Sequence, residues 1–163
     1  MNNAARDVAA SLRAIRAKAA GPAPLAACRA LQKAAVTGVQ TTLSMSSHAK
    51  GTPTPSPRGQ PPSKVGGDLL KSVKPIIPAF LVGEGAAWCA VGSSLIYAPV
   101  HEFGPVTITA RNFPQLGNPA AGFFGRSVVI PRRPYLAPTV ALLESTGVIE
   151  RVTTDAWRKA MNL

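Results

Sequence analysis

Acidic residues are scarce in this sequence. Seven Asp and Glu stand against 18 Lys and Arg, which gives a formal net charge of +11. No acidic residue occurs between Asp7 and Asp68, so residues 1–74 alone carry a net charge of +9, from 11 basic and 2 acidic side chains. A field of this sign attracts polyanions, of which DNA is the commonest inside cells, or an acidic neighbour in an assembly. Both interpretations stay open.

Charged residues of either sign are also few. They make up 15% of the chain, below the quarter that is usual for globular proteins, whereas hydrophobic residues reach an ordinary 46%. A soluble monomer normally carries more charge on its surface. We therefore expect part of this surface to be covered by a partner. A length of 163 residues suits one domain with its own core.

Cysteine and long apolar runs are nearly missing. Cys28 and Cys89 are the two cysteines, and their apolar contexts predict buried thiols in a reducing compartment, with nothing that favours a disulfide. Residues 86–100 are too short and too rich in Gly and Ser to span a bilayer. The N-terminus mixes Arg6 and Asp7 into its apolar pattern, unlike a secretory signal. We expect a cytoplasmic origin and no membrane contact.

Motifs of known chemistry are absent as well. The sequence contains no G-x-S-x-G, P-loop, G-x-G-x-x-G, helix-turn-helix spacing or zinc-finger ligand set. His101 and Glu102 are adjacent, so on a helix they point in different directions and cannot hold one metal together. The acidic residues after position 75 are too scattered for a catalytic pair. We predict a protein that is not an enzyme and that has no metal or cofactor.

Two helices are predicted over the first 46 residues. In the first, residues 3–20, four apolar side chains recur at helical spacing and should form one buried stripe: Val8, Leu12, Ile15 and Ala19. The second helix, residues 24–46, follows a Gly-Pro break. Its polar face presents Arg29 and Lys33, which suit solvent, a neighbouring subunit or a phosphate backbone.

A proline-rich segment follows at residues 47–67. Its prolines exclude a packed helix or a central strand and predict an extended loop. A proline-rich ligand for an SH3-like domain is one interpretation, although no two prolines of the segment stand at the P-x-x-P spacing. An arm that orders against neighbours during assembly fits better, because such segments wrap large surfaces.

The segment 68–145 predicts an α+β core. Residues 68–73 predict either a short helical turn capped by Asp68 or a lead into the first strand. After them, two apolar runs flank Gly83-Glu84-Gly85, a hairpin signal. Residues 106–110 alternate with period two and should pair with 126–130 in antiparallel fashion. The loop between these strands places three aromatic residues where an interface is the usual explanation: Phe113, Phe123 and Phe124.

The C-terminal part predicts two more helices. One runs from about Ala137 to Ser145, and a tail helix within 146–163 has Thr153 or Thr154 as its cap and Trp157 as its apolar anchor. The predicted architecture is a single domain over 1–163. In it, N-terminal helices and a C-terminal helix pack on a small, mostly antiparallel β-sheet, and a long Pro-rich loop is inserted.

The stretch 95–104, L-I-Y-A-P-V-H-E-F-G, is the centre of this arrangement. A short helix beginning at Ser93 or Ser94 and ended by Gly104 would place three apolar side chains on one face: Ile96, Val100 and Phe103. His101 and Glu102 would flank that face. A buried Tyr97 would need a partner for its hydroxyl.

Three elements in order carry a resemblance to a known family. They are G-G-D-L-L-K-S-V at 66–73, V-G followed by Y-A and E-F-G at 91–104, and R-P-Y-L-A-P-T at 133–139. Together they resemble the neck or tail-completion proteins of long-tailed bacteriophages, over roughly residues 25–143. Gly66 and Thr139 depart from the family pattern, so the related role of tail terminator stays open.

The resemblance implies a virion structural protein of the head-tail junction, assembled in the host cytoplasm. It implies a hexameric ring that contacts the connector, the tail terminator, the tail tube and the packaged DNA. Its structural and interface motif would be Tyr97, Glu102, Phe103, Gly104, Arg133, Pro134, Tyr135 and Leu136. We expect Glu102 and Arg133 to join the last two motif segments, and Arg29, Lys33 and Lys64 to face DNA. The alternative is a free-standing basic DNA-binding module.

Overall fold

The computed structural model describes residues 3–45, 47, 56–109 and 127–163. Its described helices and strands confirm the predicted α+β class, although the strands form two separate two-stranded sheets, β1-β2 and β3-β4. The elements in chain order are α1 (Asn3–Ala20), α2 (Pro22–Ser44), α3 (Asp68–Ser72), β1 (Val73–Gly83), β2 (Ala86–Ser93), α4 (Ala98–Phe103), β3 (Val106–Ile108), β4 (Val128–Ile130), α5 (Leu136–Ser145) and α6 (Val148–Met161).

The residues group into two compact units, each made of separate stretches of sequence. The first unit comprises residues 1–38, 73–92 and 139–163, and the second comprises 39–72 and 93–138. The single domain expected from chain length stays a prediction. Among the helices that the structure describes, none is both long and apolar enough to cross a membrane.

Helices α1 and α2 dominate the first unit. Their sequences are rich in alanine, the best helix former, and α1 has the predicted bounds. Helix α2 begins two residues earlier than predicted, because Pro22 fits a first helical turn, where a missing N–H costs nothing. The Lys18 ammonium at the end of α1 donates to the Met161 carbonyl at the end of α6, at 3.5 Å.

The apolar stripe of α1 is exposed, which corrects the prediction that it is buried. Val8, Leu12 and Ile15 are 59%, 61% and 52% exposed. Their spacing identified the helix correctly. Spacing does not say what covers an apolar stripe, because packing within the chain and packing on another molecule need the same pattern.

Strands β1 and β2 form the predicted hairpin. The connection Glu84-Gly85 is only two residues long, so the strands must run antiparallel, and Gly85 has a φ of +74° that favours glycine. One face of the hairpin contacts α2. The Gln32 amide donates to the carbonyls of Ile77 and Ala90, at 2.8 and 2.9 Å.

The two cysteines meet at the same contact between α2 and the hairpin. The Sγ atoms of Cys28 and Cys89 lie 2.7 Å apart, and both thiols are free. Cys28 is buried as predicted, whereas Cys89 is only partly buried. The sequence offered no reason to pair them, because they are 61 positions apart on elements of different type.

Helix α6 and residues 139–145 of α5 complete the first unit, whereas the first three residues of α5 belong to the second unit. Gly38 of α2 lets α5 approach closely, since a Cβ there would lie 3.0 Å from the Thr139 methyl and 3.2 Å from Leu143. Helix α6 begins at Val148 after Gly147, which corrects the predicted start at Thr153 or Thr154. The Thr153 hydroxyl instead donates to the Ile149 carbonyl inside the helix.

The second unit contains the end of α2, the short helices α3 and α4, and the pair β3-β4. Val39 and Leu43 of α2 are almost fully buried. The predicted antiparallel pairing is confirmed, and its register places Val106 opposite Ile130 and Ile108 opposite Val128. The predicted strand 106–110 ends at Ile108, since Thr109 does not continue it. The three loop phenylalanines, residue 110 and residues 48–55 of the proline-rich arm lie outside the described residues.

Candidate functional site

Helix α4 lies inside the predicted central stretch, but it is shorter than expected. It begins at Ala98, next to Pro99 in its first turn, and no side chain caps it. Ser93, which was predicted to cap it, shares a 2.6 Å hydrogen bond with the Ser72 hydroxyl, and its oxygen accepts the backbone N–H of Leu95. Proline favours a first helical turn and not an interior one, which explains the late start.

The apolar stripe predicted for this helix does not form. Ile96 precedes α4 and is 82% exposed, and Phe103 is 79% exposed. The buried residues of the helix are Ala98 and Glu102, which are four positions apart and therefore share a face. The buried face of α4 thus contains a carboxylate, whereas the apolar spacing had predicted a different face as the buried one.

The Glu102 carboxylate binds the first backbone N–H groups of α5. One oxygen, Oε2, accepts from Tyr135 and Leu136, and the other, Oε1, accepts from Ala137, all at 2.9 Å. The side chain is 4% exposed. Helix N-termini carry unsatisfied donors and a partial positive charge, so an anion there is stabilised by both. We call this arrangement the Glu102 junction.

Backbone and guanidinium groups extend the Glu102 junction. The Arg132 Nε donates to the Glu102 carbonyl at 2.9 Å, and the Arg133 backbone N–H donates to the His101 carbonyl at 2.8 Å. The Arg133 Nε donates to the Ser56 carbonyl at 2.9 Å. These bonds fasten residues 132–137 to α4 and to the end of the proline-rich segment.

The expected pair between Glu102 and Arg133 is therefore corrected. The two motif segments do meet, but among the described residues Arg133 is not within ion-pair distance of the carboxylate. The physical reason is that α5 supplies three N–H donors to Glu102, leaving the carboxylate fully occupied. The guanidinium of Arg133 bonds a carbonyl instead.

Gly104 lets the chain leave α4 tightly. A Cβ at this position would lie 2.6 Å from the Val100 carbonyl oxygen, which is closer than real side chains come, and at an ordinary contact distance of 3.5 Å from the backbone of Arg132. Any side chain would therefore collide with the last turn of α4 itself. The predicted motif residue has a steric role.

Three titratable rings among the described residues of this unit have shifted pKa values. Burial, followed by the charges of Glu102 and Tyr97, raises the pKa of Tyr135 to about 12, and this residue is 1% exposed. Burial and then Arg133 lower the pKa of His101, whose Nδ1 is buried without a partner among the described residues. Burial and then Asp68 raise the pKa of Tyr97. At neutral pH all three are uncharged.

A cavity of about 340 Å³ opens beside Tyr97 and His101. Its other walls are the end of the proline-rich segment, α3 and Leu43, and they bring Lys64 and Asp68 to its edge. Within the described residues, no three His, Cys, Asp or Glu side chains are placed to hold a metal ion. Among the described residues that line the cavity, the acidic side chain is Asp68, which is exposed.

The basic residues predicted to face DNA are all exposed. Arg29 and Lys33 lie one turn apart on α2 in the first unit, so they share a face. Lys64 lies in the second unit, where its backbone pairs with Ser47. The remaining motif residues, Pro134 and Leu136, are half-buried beside Tyr135.

Comparisons with family models, with curated proteins and with solved structures give no match to this chain. The likeness to phage neck proteins therefore stays a prediction from three short motifs.

Sequence reasoning missed three residues of this region and of the α2 contact. Arg132 and Gln32 each donate to a backbone carbonyl far away in the sequence, and the backbone carbonyl of Ser56 accepts from Arg133. A backbone acceptor has no residue type, so no pattern could have identified these pairs. The polar Gln32 inside an otherwise apolar helical stretch was the one visible signal.

Proposed function

We propose that this protein is a ring-forming structural subunit at the head-tail junction of a long-tailed bacteriophage, in the tail-completion or tail-terminator position. The observation that carries the proposal is the imbalance between core and surface. Among the described residues, seven apolar residues are buried, whereas 17 large hydrophobic side chains are mostly or substantially exposed. Large contiguous apolar surfaces are rare on soluble monomers, and those that occur are often interaction sites.

The Glu102 junction supports the same proposal. It consists of conventional stabilising contacts around motif residues, and its carboxylate accepts backbone N–H groups with both oxygens. Such an arrangement holds an architecture together and performs no reaction. A subunit whose role is assembly needs a fixed framework of this kind beneath its contact surfaces.

Negative-stain microscopy combined with light scattering tests the proposal. We expect uniform rings from the purified protein, or rings that appear when isolated tail tubes are added. Mass spectrometry of purified particles should detect the chain as a virion component. A protein that stays monomeric under both conditions and is missing from particles would contradict the proposal.

A basic DNA-binding module is the second candidate, favoured by the exposed pair Arg29 and Lys33 and by the net charge of +11. For such a module, duplex affinity should fall steeply with salt, with a slope of log K against log salt of about −0.9 for each phosphate neutralised. Replacing Arg29, Lys33 and Lys64 together by Ala should then abolish binding to duplex. A ring subunit with the same three replacements should still assemble.

A further inference from the structure

The outer face of the β1-β2 hairpin is an exposed apolar surface of the first unit. Side chains alternate between the faces of a strand, so Ile76, Phe80 and Val82 share one face of β1. They are 51%, 44% and 59% exposed. Trp88 of β2 joins them, since its ring meets that of Phe80 edge to face with centroids 5.7 Å apart, and it is 47% exposed. These four residues define the outer face.

The opposite face of the hairpin is already occupied. Cys89 contacts Cys28, and Ile77 and Ala79 are half-buried on the side that faces α2. Gln32 fixes both strands through the carbonyls of Ile77 and Ala90. The hairpin is therefore held in place by α2, while its outer face presents a prearranged apolar surface.

We infer that the outer face of this hairpin binds a second copy of the chain, and that it forms one side of the subunit contact in the proposed ring. The inference rests on the proposed function for the choice of a ring. Its two arguments are charge and area.

The distribution of charged residues indicates which class of molecule binds the outer face. Residues 75–83 and 86–92 contain no charged side chain, in a chain with a net charge of +11. Lys74, at the start of β1, is the single charged side chain of the two strands, so DNA or an anionic lipid surface, which several Lys and Arg normally recognise, would find one basic group at the edge of this face. Two copies of a cationic chain repel each other elsewhere, but not across an uncharged surface. A second copy is the partner that this face suits.

The area is also sufficient. Aromatic side chains offer about 150–250 Å² each, so four large and half-exposed side chains present on the order of 400 Å². One side of a standard interface buries about 800 Å², of which somewhat more than half is apolar. The outer face therefore supplies roughly the apolar share of one complete contact.

The test measures self-association by sedimentation velocity over a wide range of concentration, with and without isolated tail tubes. The variants are Phe80→Asp and Val82→Asp, which place a charge on the outer face without touching the α2 contacts. The matched control is Ile96→Asp, at an apolar position of the second unit that is 82% exposed. Circular dichroism should show the wild-type helical signal in all three.

We expect both hairpin variants to weaken self-association by about 30-fold or more, as loss of a central interface residue does, while the control associates like the wild type. If all three variants associate like the wild type, the hairpin assignment is overturned, although the proposed function stands. If Ile96→Asp alone disrupts association, the contact lies in the second unit. A wild type that never associates overturns both proposals.

The fluorescence of Trp88 provides a measurement of association that does not require the hairpin variants to fold. In a Trp157→Phe background Trp88 is the single tryptophan of the chain. Its emission should move to shorter wavelength as the protein associates, because the ring leaves water. Association without this shift would contradict the inference.

Discussion

The hairpin of the first unit leaves apolar side chains exposed, whereas the Glu102 junction of the second unit buries a carboxylate and satisfies it with hydrogen bonds. At the Glu102 junction, a buried charge finds all its partners inside the chain, through three N–H donors at 2.9 Å. On the hairpin, apolar side chains such as Val82 and Trp88 stay about half exposed. Burying an unpaired charge is expensive, whereas exposing an apolar group is tolerated until a partner arrives.

The comparison separates stability from assembly. Changes at the Glu102 junction should lower the free energy of unfolding and leave the hairpin contact intact. Changes on the outer face of the hairpin should do the reverse. The following predictions test that separation, from the largest effect to the smallest.

Glu102→Ala should produce the largest loss of stability. It removes the acceptor for three N–H groups at the start of α5 and should lower the free energy of unfolding by about 3–4 kcal/mol. Urea unfolding followed by circular dichroism measures this. Glu102→Gln keeps one acceptor oxygen and should lose less. A cost below about 1 kcal/mol for the alanine variant would show that the Glu102 junction is not the main fastening of the second unit.

Oxidation of Cys28 and Cys89 should stabilise the first unit. With diamide, each thiol loses a proton and the pair passes two electrons to the reagent, forming a disulfide between α2 and β2. A cross-link of this kind typically raises the free energy of unfolding by about 2–4 kcal/mol. Intact mass and thermal unfolding report it, and Cys28→Ser is the control.

The pH dependence of this oxidation is a further part of the same test. Burial, and then the neighbouring Cys28 thiol, raise the pKa of Cys89 to about 12. The reactive thiolate is scarce at neutral pH, so the reaction should accelerate as pH rises. Disulfides between chains in place of the internal one would contradict the contact seen here.

Acid should weaken the second unit through His101. Its pKa in the folded protein lies below the ordinary value of 6.5, because burial and Arg133 disfavour the charged ring. The unfolded chain therefore binds the proton more readily, and stability is lost as pH falls through about 6.5. Comparing urea midpoints above and below this pH should show a larger loss for the wild type than for His101→Gln. Equal losses would refute the assignment.

The smallest effect is expected at Arg16. Its guanidinium lies 3.6 Å from the Glu84 carboxylate at the hairpin turn, and both side chains are 80% exposed. An exposed pair of this kind contributes little, so Arg16→Ala should change the free energy of unfolding by less than about 0.5 kcal/mol. A larger change in thermal or urea unfolding would mean that the hairpin depends on this contact and not on α2.

The outcome of the sequence predictions differs between local and distant features. The bounds of α1, the hairpin and the pairing of β3 with β4 were predictable because periodicity and turn residues act over a few positions. The burial of α1 was predicted wrongly, and so was the apolar face of α4. Both errors concern what covers a surface, which depends on residues far away in the chain.

The candidate site shows the same limit. The motif residues Glu102, Gly104 and Tyr135 were identified from the sequence, and the structure brings them together. Their roles were not, because Glu102 binds backbone donors 33 to 35 positions later and Gly104 is required by the closeness of the Val100 carbonyl oxygen. Backbone groups are the same at every position and leave no mark on a sequence.

What the sequence alone determined is therefore the inventory: the helices, the strands, the positive charge and the short motifs, each of which depends on residues within one or two turns. The tertiary structure decided the pairings: the carboxylate with a helix start, Cys28 with Cys89, and an apolar hairpin face with no cover. The reason is physical, since propensity and periodicity act locally, whereas burial and hydrogen-bond partners are settled only when distant segments meet.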